Sequence, residues 1–186
     1  MPFLETNFPG LKIHEPQIFA DSRGYFLESF NEQSFAKAGL HVHFVQDNES
    51  MSNYGVVRGL HFQHAAHAQA KLVRVIKGEV LDVVVDIRKG SPTYGKKLEV
   101  LLSEENKKMI FIPRGFAHGF SVLRDQTIFS YKCDNFYNKE SEGGILLTDP
   151  DLAIDWRVPT EKFIVSDKDS ANPPLKNLQH QFIFEG

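Results

Sequence analysis

With 186 residues the chain has the length of one compact domain that can bury a core, and its hydrophobic share of 41% is ordinary for a globular protein. A formal net charge of −3 offers no general attraction to nucleic acid or anionic lipid, so an anionic ligand must be held by a local group of Arg and Lys. The single cysteine, Cys133, excludes an intrachain disulfide framework and a cysteine-built metal site, and no apolar run approaches membrane-spanning length. In chain order, the N-terminal stretch 1–13 lacks a basic region followed by an apolar one, so no signal peptide is expected and a cytoplasmic location is. The spacing predicts a helix from Glu32 to Ala38, with Asn31 as its N-cap and Gly39 just past its end. Strands are predicted at Lys71 to Ile76 and Glu79 to Ile87, flanking the tight-turn signal Lys77-Gly78. Side chains alternate across a strand, so Leu81, Val83, Val85 and Ile87 form one apolar face while Asp82 and Asp86 share the other with Val80 and Val84. Further strands are predicted at Lys97 to Leu102, Met109 to Ile112, Gly119 to Leu123 and Thr127 to Cys133. The tail, about 172–186, reads as irregular with an apolar end at Phe182 to Phe184. Regular short strands, 16 Phe and 5 Tyr, and few short helices make this an all-β barrel or sandwich, one domain over 1–186.

Several constellations can carry chemistry. In Val57 to Gln63, Arg58 and His61 flank a glycine that permits close approach, and His61 is the best general-base candidate, imidazole being the side chain that changes charge nearest neutral pH. His64 and His67, taken with His61 and His118, raise a metal reading. Against it, no Glu lies between them at a ligand spacing, and His64-Ala65-Ala66-His67 reads as a loop, with His64 in solvent. Pro113-Arg114-Gly115 followed by His118 is similar to the second signature of cupins; His118 can hydrogen-bond a ligand there or simply pack behind the turn. Thr127, Phe129, Tyr131 and Cys133 share a strand face, and if that face is interior Tyr131 offers a phenol to the same space as His61. Arg23, Glu28, Arg58, Lys71 and Lys168 are scattered charges that would serve a diphosphate only if the fold gathered them.

These segments, in this order, resemble one family. The blocks are 21–28 (Asp-Ser-Arg-Gly-Tyr-Phe-Leu-Glu), 46–48 (Gln-Asp-Asn), 58–63, 68–75, 78–83, 113–120, 131–133 and 166–169, and together they span nearly all of Pro9 to Ala171. The chain is identified by them as similar to the dTDP-4-dehydrorhamnose 3,5-epimerase family. The resemblance implies a cupin-type jelly-roll barrel and a homodimer that exchanges an N-terminal strand, with no metal and no cofactor. It implies an isomerase that inverts C3 and C5 of a dTDP-linked 4-keto-6-deoxyhexose on the route to dTDP-L-rhamnose. By the same resemblance His61 is the base, Asp169 orients it, Tyr131 is the general acid and Lys71 lies near the sugar carbonyl. Arg23, Glu28, Gln46, Asp47, Asn48, Arg58, His118, Glu142 and Lys168 fall on substrate-contacting positions. Tyr137 falls on the aromatic that stacks the thymine, and Phe19 on one that reaches the base from the partner subunit.

Two departures from the family pattern are the stretch His64-Ala65-Ala66-His67-Ala68-Gln69, where the family usually has a short Pro-containing link before its His-Ala-Gln, and a basic Arg114 where relatives are often acidic. The rival readings are a relative that inverts one carbon or acts on another keto sugar, a metal-dependent cupin using His61, His64 or His67, and His118, and a cupin that binds nucleotide sugars without catalysis.

Overall fold

The structure is a computed structural model describing residues 3–180 and 182–186; Met1 and Pro2 of the N-terminal stretch and Gln181 of the tail lie outside the described residues. The described strands are β1 (Phe3–Glu5), β2 (Lys12–His14), β3 (Ile18–Asp21), β4 (Gly24–Leu27), β5 (Gln46–Ser52), β6 (Val57–Gln63), β7 (Lys71–Lys77), β8 (Glu79–Asp86), β9 (Lys97–Ser103), β10 (Met109–Ile112), β11 (Phe116–Val122), β12 (Thr127–Cys133) and β13 (Glu142–Gly144). Two short helices join them, α1 (Glu32–Lys37) and α2 (Asp167–Ser170). The Asn31 side chain accepts from the Ser34 N–H at 3.1 Å, which satisfies one orphan donor of α1, and Gly39 past its end takes a positive φ.

The strands form two antiparallel sheets, β1-β2-β10-β7-β12-β5 and β13-β6-β11-β8-β9, with β3-β4 as a separate hairpin. From β5 to β8 the chain changes sheet at every connection, the pattern of a jelly roll. The turn at Lys77-Gly78 is therefore no hairpin. It carries the chain around a barrel corner from β7 in one sheet to β8 in the other, and Gly78 makes the corner with φ 83°. β11 begins at Phe116, directly after the Pro113-Arg114-Gly115 turn and earlier than predicted.

Three apolar layers hold this arrangement. Val73, Val75, Ile110, Ile112 and Phe129 of the larger sheet meet Val80, Val84, Phe116, Phe120 and Val122 of the smaller one in the barrel interior. The opposite face of β8, Leu81, Val83 and Val85, is buried under Ile145, Leu147, Leu152 and Trp156 from the C-terminal third. This is why β8 is buried along almost its whole length, although only one of its faces reads as apolar. Phe35 of α1 covers the outer face of the larger sheet with Leu72, Met109 and Phe111. The tail is irregular yet packed: Phe182 leans on the layer beneath β8, and Lys89 bridges to Ile183.

The interior face of β8 carries two buried carboxylates with different partners. Asp86 accepts from Arg88, Ser91 and Thr93, which closes one end of the barrel with a saturated cluster. Asp82, nearer the middle, faces His118. The structure is an all-β, cupin-type jelly-roll barrel whose two sheets bring β6 and β12 face to face.

Candidate active site

His61 lies on β6 in the smaller sheet and is the register partner of His118 on β11. Tyr131 lies on β12 in the larger sheet, opposite Asn48 on β5 and Val73 on β7. Lys71 opens β7 beside Cys133. Two cavities of about 290 and 300 Å³ share Asn48, His61, Lys71 and Tyr131 in their walls, so imidazole, ammonium and phenol converge from both sheets on one junction. The first cavity opens toward Gln46, Gln63, Glu142 and Tyr137. The second runs inward past Arg58 and His118 to Phe120 and Phe129.

The base candidate is held from behind. Asp169 on α2 is buried and its Oδ1 lies 2.7 Å from His61 Nε2, while Oδ2 accepts from the Gly59 N–H at 3.3 Å. The short helix itself is started by Ser166, whose hydroxyl accepts from the Asp169 N–H at 3.1 Å. Burial pushes the Asp169 carboxyl up, but its contacts with His61, Gly59 and Ser166 outweigh that and hold it below the ordinary aspartate range. An ionised Asp169 keeps the ring proton on Nε2 and leaves the Nδ1 lone pair of His61 for the cavity. Gly59 is the hinge of this arrangement. It has φ 136°, and a Cβ there would stand 2.5 Å from the Gly119 Cα. Gly59→Ala is therefore expected to lower stability by about 1–3 kcal/mol and to reduce activity by spreading β6 from β11. Thermal melting and initial rates check it.

The opposing groups have shifted proton affinities. Burial, with Cys133 and Glu142 adding to it against Arg58, pushes the Tyr131 phenol up, so it is a proton carrier at neutral pH. Burial pushes the Lys71 ammonium down, partly offset by Cys133, Glu142 and Asp82. The Cys133 thiol, buried behind Lys71 and Tyr131, is pushed up to about 11, chiefly by burial, and so is a neutral wall. Asn48 approaches its sulfur at 3.8 Å.

At the mouth, the exposed Tyr137 donates its ring hydroxyl to Glu142 Oε2 at 3.0 Å and its backbone N–H to Gln46 Oε1 at 3.1 Å. Lys168, beside Asp169 on α2, pairs with Glu142 Oε1. Burial raises the Glu142 carboxyl, but Lys168, Tyr137 and His61 bring it below its usual range. Gln46 Nε2 donates to Asn48 Oδ1 at 3.0 Å, which continues the polar rim along β5.

The fold thus gathers His61, Asp169, Tyr131, Lys71, Gln46, Asn48, Arg58, His118, Tyr137, Glu142 and Lys168. It does not gather four others within this chain. Asp47 alternates to the exposed face of β5, where its carboxylate pairs with Lys132 at 2.9 Å. Arg23 sits at the tip of the β3-β4 hairpin and pairs with Asp21 at 2.6 Å. Phe19 is exposed on that hairpin, and Glu28, just beyond it, accepts from Asn31. His64 is half-buried against the Phe62 ring rather than free in solvent, because its backbone N–H is tied to the Ser141 carbonyl at 2.7 Å. His61 and His118 each turn Nε2 to an aspartate, and among the described residues no three His, Cys, Asp or Glu side chains converge to hold a metal.

Two contributors escaped the sequence reading. Gln63 bridges the mouth, donating to the His67 carbonyl at 2.9 Å and accepting from the Asn138 N–H at 2.6 Å, and Gln69 lines the cavity while donating to the Asn135 carbonyl at 2.8 Å. Their only sequence signal is that each lies inside a family block, 58–63 or 68–75, without being assigned a role there.

Known proteins give the same arrangement a family. The family model described as dTDP-4-dehydrorhamnose 3,5-epimerase matches residues 5–177. The chain is 52% identical to the dTDP-4-dehydrorhamnose 3,5-epimerase of Methanothermobacter thermautotrophicus over 175 residues, 94% of each chain. Its structure is similar to the crystal structure of the enzyme so named from Elizabethkingia anophelis, with a TM-score of 0.91 and 53% identity over 95% of this chain and 97% of that one. It is equally similar, at a TM-score of 0.91 and 48% identity over 96% and 94%, to the Legionella pneumophila epimerase crystallised with dTDP-4-keto-L-rhamnose. With an Asp-supported histidine facing a phenol and a lysine across one cavity, and with the match spanning nearly its whole length, the chain belongs to the dTDP-4-dehydrorhamnose 3,5-epimerase family.

Proposed function

We infer that this enzyme epimerises C3 and C5 of dTDP-4-dehydro-6-deoxy-D-glucose to give dTDP-4-dehydro-L-rhamnose. The observation that carries the reading is the His61–Asp169 pair at 2.7 Å opening onto the cavity that Tyr131 and Lys71 also line. Both C3 and C5 flank the C4 ketone, so loss of either proton leaves an enolate with its charge mainly on the C4 oxygen. His61 Nδ1 takes the proton, and Asp169 stabilises the imidazolium that forms. The Lys71 ammonium stabilises the enolate oxygen. Tyr131 returns a proton from the opposite face of the ring, and before the second inversion His61 gives its proton to solvent while Tyr131 regains one from solvent. No electrons change hands, so these side chains suffice for the chemistry. Tyr137 offers its exposed ring to the thymine, and Arg58, Lys168 and His118 offer charge or hydrogen bonds to the diphosphate and sugar.

Tyr131→Phe is expected to permit proton loss while preventing inverted product. The substrate should then gain deuterium from deuterated water without changing configuration. A variant that epimerises at the normal rate would dispose of this assignment. The whole reading is tested by NMR of dTDP-4-keto-6-deoxyglucose in deuterated water: exchange at both carbons is expected, and exchange at neither would overturn it.

A homodimer completes the site in this reading. The β3-β4 hairpin displays Ile18, Phe19, Tyr25 and Phe26 to solvent, large apolar side chains exposed on both of its faces, which supports a cover by a second chain. Exchanged between subunits, it would carry Arg23, Phe19 and Glu28 toward the partner's cavity mouth. A diphosphate-linked substrate does not cross bilayers unaided, which supports a cytoplasmic enzyme; no helix among the described residues is long and apolar enough to cross a membrane.

A further inference from the structure

We propose that Asp82 is a further positioning residue of this reaction, fixing the ring of His118 at the cavity wall. The inference rests on the reaction given above for its kinetic consequences, but not for its structural ones.

Asp82 sits in the middle of β8 with no exposure to solvent. Its neighbours on the same face are Val80 and Val84, both in the apolar interior layer. A carboxylate among such groups is costly unless its lone pairs are met. Only one oxygen is met: Oδ2 lies 2.8 Å from His118 Nε2, while Oδ1 has no hydrogen-bond partner among the described residues. The saturated Asp86 cluster on the same strand shows how this barrel treats a carboxylate whose task is to hold the fold. Asp82 is left half-satisfied instead, and two groups of the cavity wall are tied to it.

The first is His118. With Nε2 taken by Asp82, only Nδ1 of that ring is free to meet a ligand, and His118 lines the inner cavity as the register partner of His61. The arrangement repeats the Asp169–His61 pair one strand away. The second is Lys71, which opens β7 in the other sheet. Burial pushes its ammonium down, and Asp82 is one of three groups, after Cys133 and Glu142, that push it back up. The other charged or titratable groups around this floor are Glu49 from β5, Arg58 and His61 from β6, Tyr131 and Cys133 from β12 and Glu142 from β13, whereas β9 presents the apolar Val100 as the register partner of Asp82.

The wild-type enzyme supplies the first test. Long-range proton–nitrogen NMR of its histidine rings should show His118 protonated at Nε2, and a ring protonated at Nδ1 alone would overturn the proposal. Asp82→Asn keeps the shape and removes the charge. It should lower kcat on the order of tenfold to a hundredfold, the scale of a lost charge-assisted hydrogen bond, with a smaller change in KM. Because one of the groups that raises Lys71 is gone, the alkaline limb of the kcat profile should move to lower pH. A variant that folds, keeps wild-type kcat and keeps the alkaline limb in place would overturn the proposal. So would one that is merely less stable, with the limb and the His118 ring state unmoved. If the variant does not fold, the wild-type ring spectrum still decides. Failure of the wild-type enzyme to exchange either carbon counts against the reaction and leaves that spectrum as it is.

Discussion

His61→Ala should abolish solvent deuterium exchange at both C3 and C5 while leaving dTDP binding nearly unchanged. The two effects separate because the groups assigned to them are separate. The proposed nucleotide contacts, Tyr137, Gln46, Glu142 and Lys168, are held by one another at the mouth and do not lean on the imidazole for their geometry. His61, the proposed base, lies deeper, with Asp169 behind it at 2.7 Å. Loss of a positioned general base costs about 10²–10⁴-fold, and no neighbouring group can replace it: Glu142 is engaged by Lys168 and Tyr137, and the Cys133 thiol is held protonated by its burial. One-dimensional NMR of the substrate, with calorimetry of dTDP binding, reads both quantities. Exchange at the wild-type rate in this variant would remove His61 from the role of base. The support behind the base also has a pH signature. Asp169 has a folded-state pKa below its unfolded value of about 3.9. The stability it contributes is therefore complete above the unfolded value and is lost as pH falls through the folded one. The His61–Asp169 pair should stay intact through the neutral range and fail only in strong acid.

Much of this was legible in the sequence, for identifiable reasons. The period-two pattern of β8 shows a mixed face and an oily face, and the mixed face is the barrel interior because that is where polar partners such as His118 and Arg88 wait. The run Thr127 to Cys133 emerged with its bounds intact, since alternate positions pack inward and the turn before it is sharp. The helix at 32 was legible because Asn31 and Gly39 mark both of its ends chemically. What stayed hidden is long-range. Lys77-Gly78 looks the same whether it closes a hairpin or turns a barrel corner, and only the pairing of β7 with β10 and β12 decides between them. The burial of the outer face of β8 depends on Trp156 and its neighbours, some 70 residues away in the chain, a separation no local pattern encodes. For the site, the family blocks carried most of the residues but not their direction. Asp47 lies between Gln46 and Asn48 and shares their block, yet strand alternation turns it outward to Lys132. Arg23, Phe19 and Glu28 sit on a hairpin that one chain leaves exposed, so their part in a site depends on a second chain.

Lys71→Met should lower kcat on the order of 10²–10³-fold, about 3–4 kcal/mol of lost transition-state stabilisation, without lowering stability at neutral pH. The reason lies in the conflict between folding and catalysis at this position. Folding removes the ammonium from water, and burial drives its pKa below the ordinary lysine value even though Cys133, Glu142 and Asp82 resist the shift. A lysine with a lowered folded-state pKa binds more protons unfolded than folded, so its charge weighs against the fold. That penalty is fully present below the folded value and is relieved as pH rises toward the unfolded value of about 10.4. The reaction needs the opposite, a charged group facing the C4 oxygen when negative charge appears there. Activity should thus fall with rising pH across the window in which the stability attributable to Lys71 increases. Methionine keeps most of the apolar stem beside the Tyr131 ring, 5.8 Å from the present Nζ, and carries no charge to desolvate. Denaturant melts at neutral and alkaline pH, set beside kcat at the same pH values, check the prediction. If the methionine variant is both inactive and markedly less stable at neutral pH, the ammonium supports the fold and is no buried charge kept for the enolate. If the variant instead retains wild-type kcat, the enolate is stabilised by another group, and His118 held by Asp82 is the next donor along the same wall.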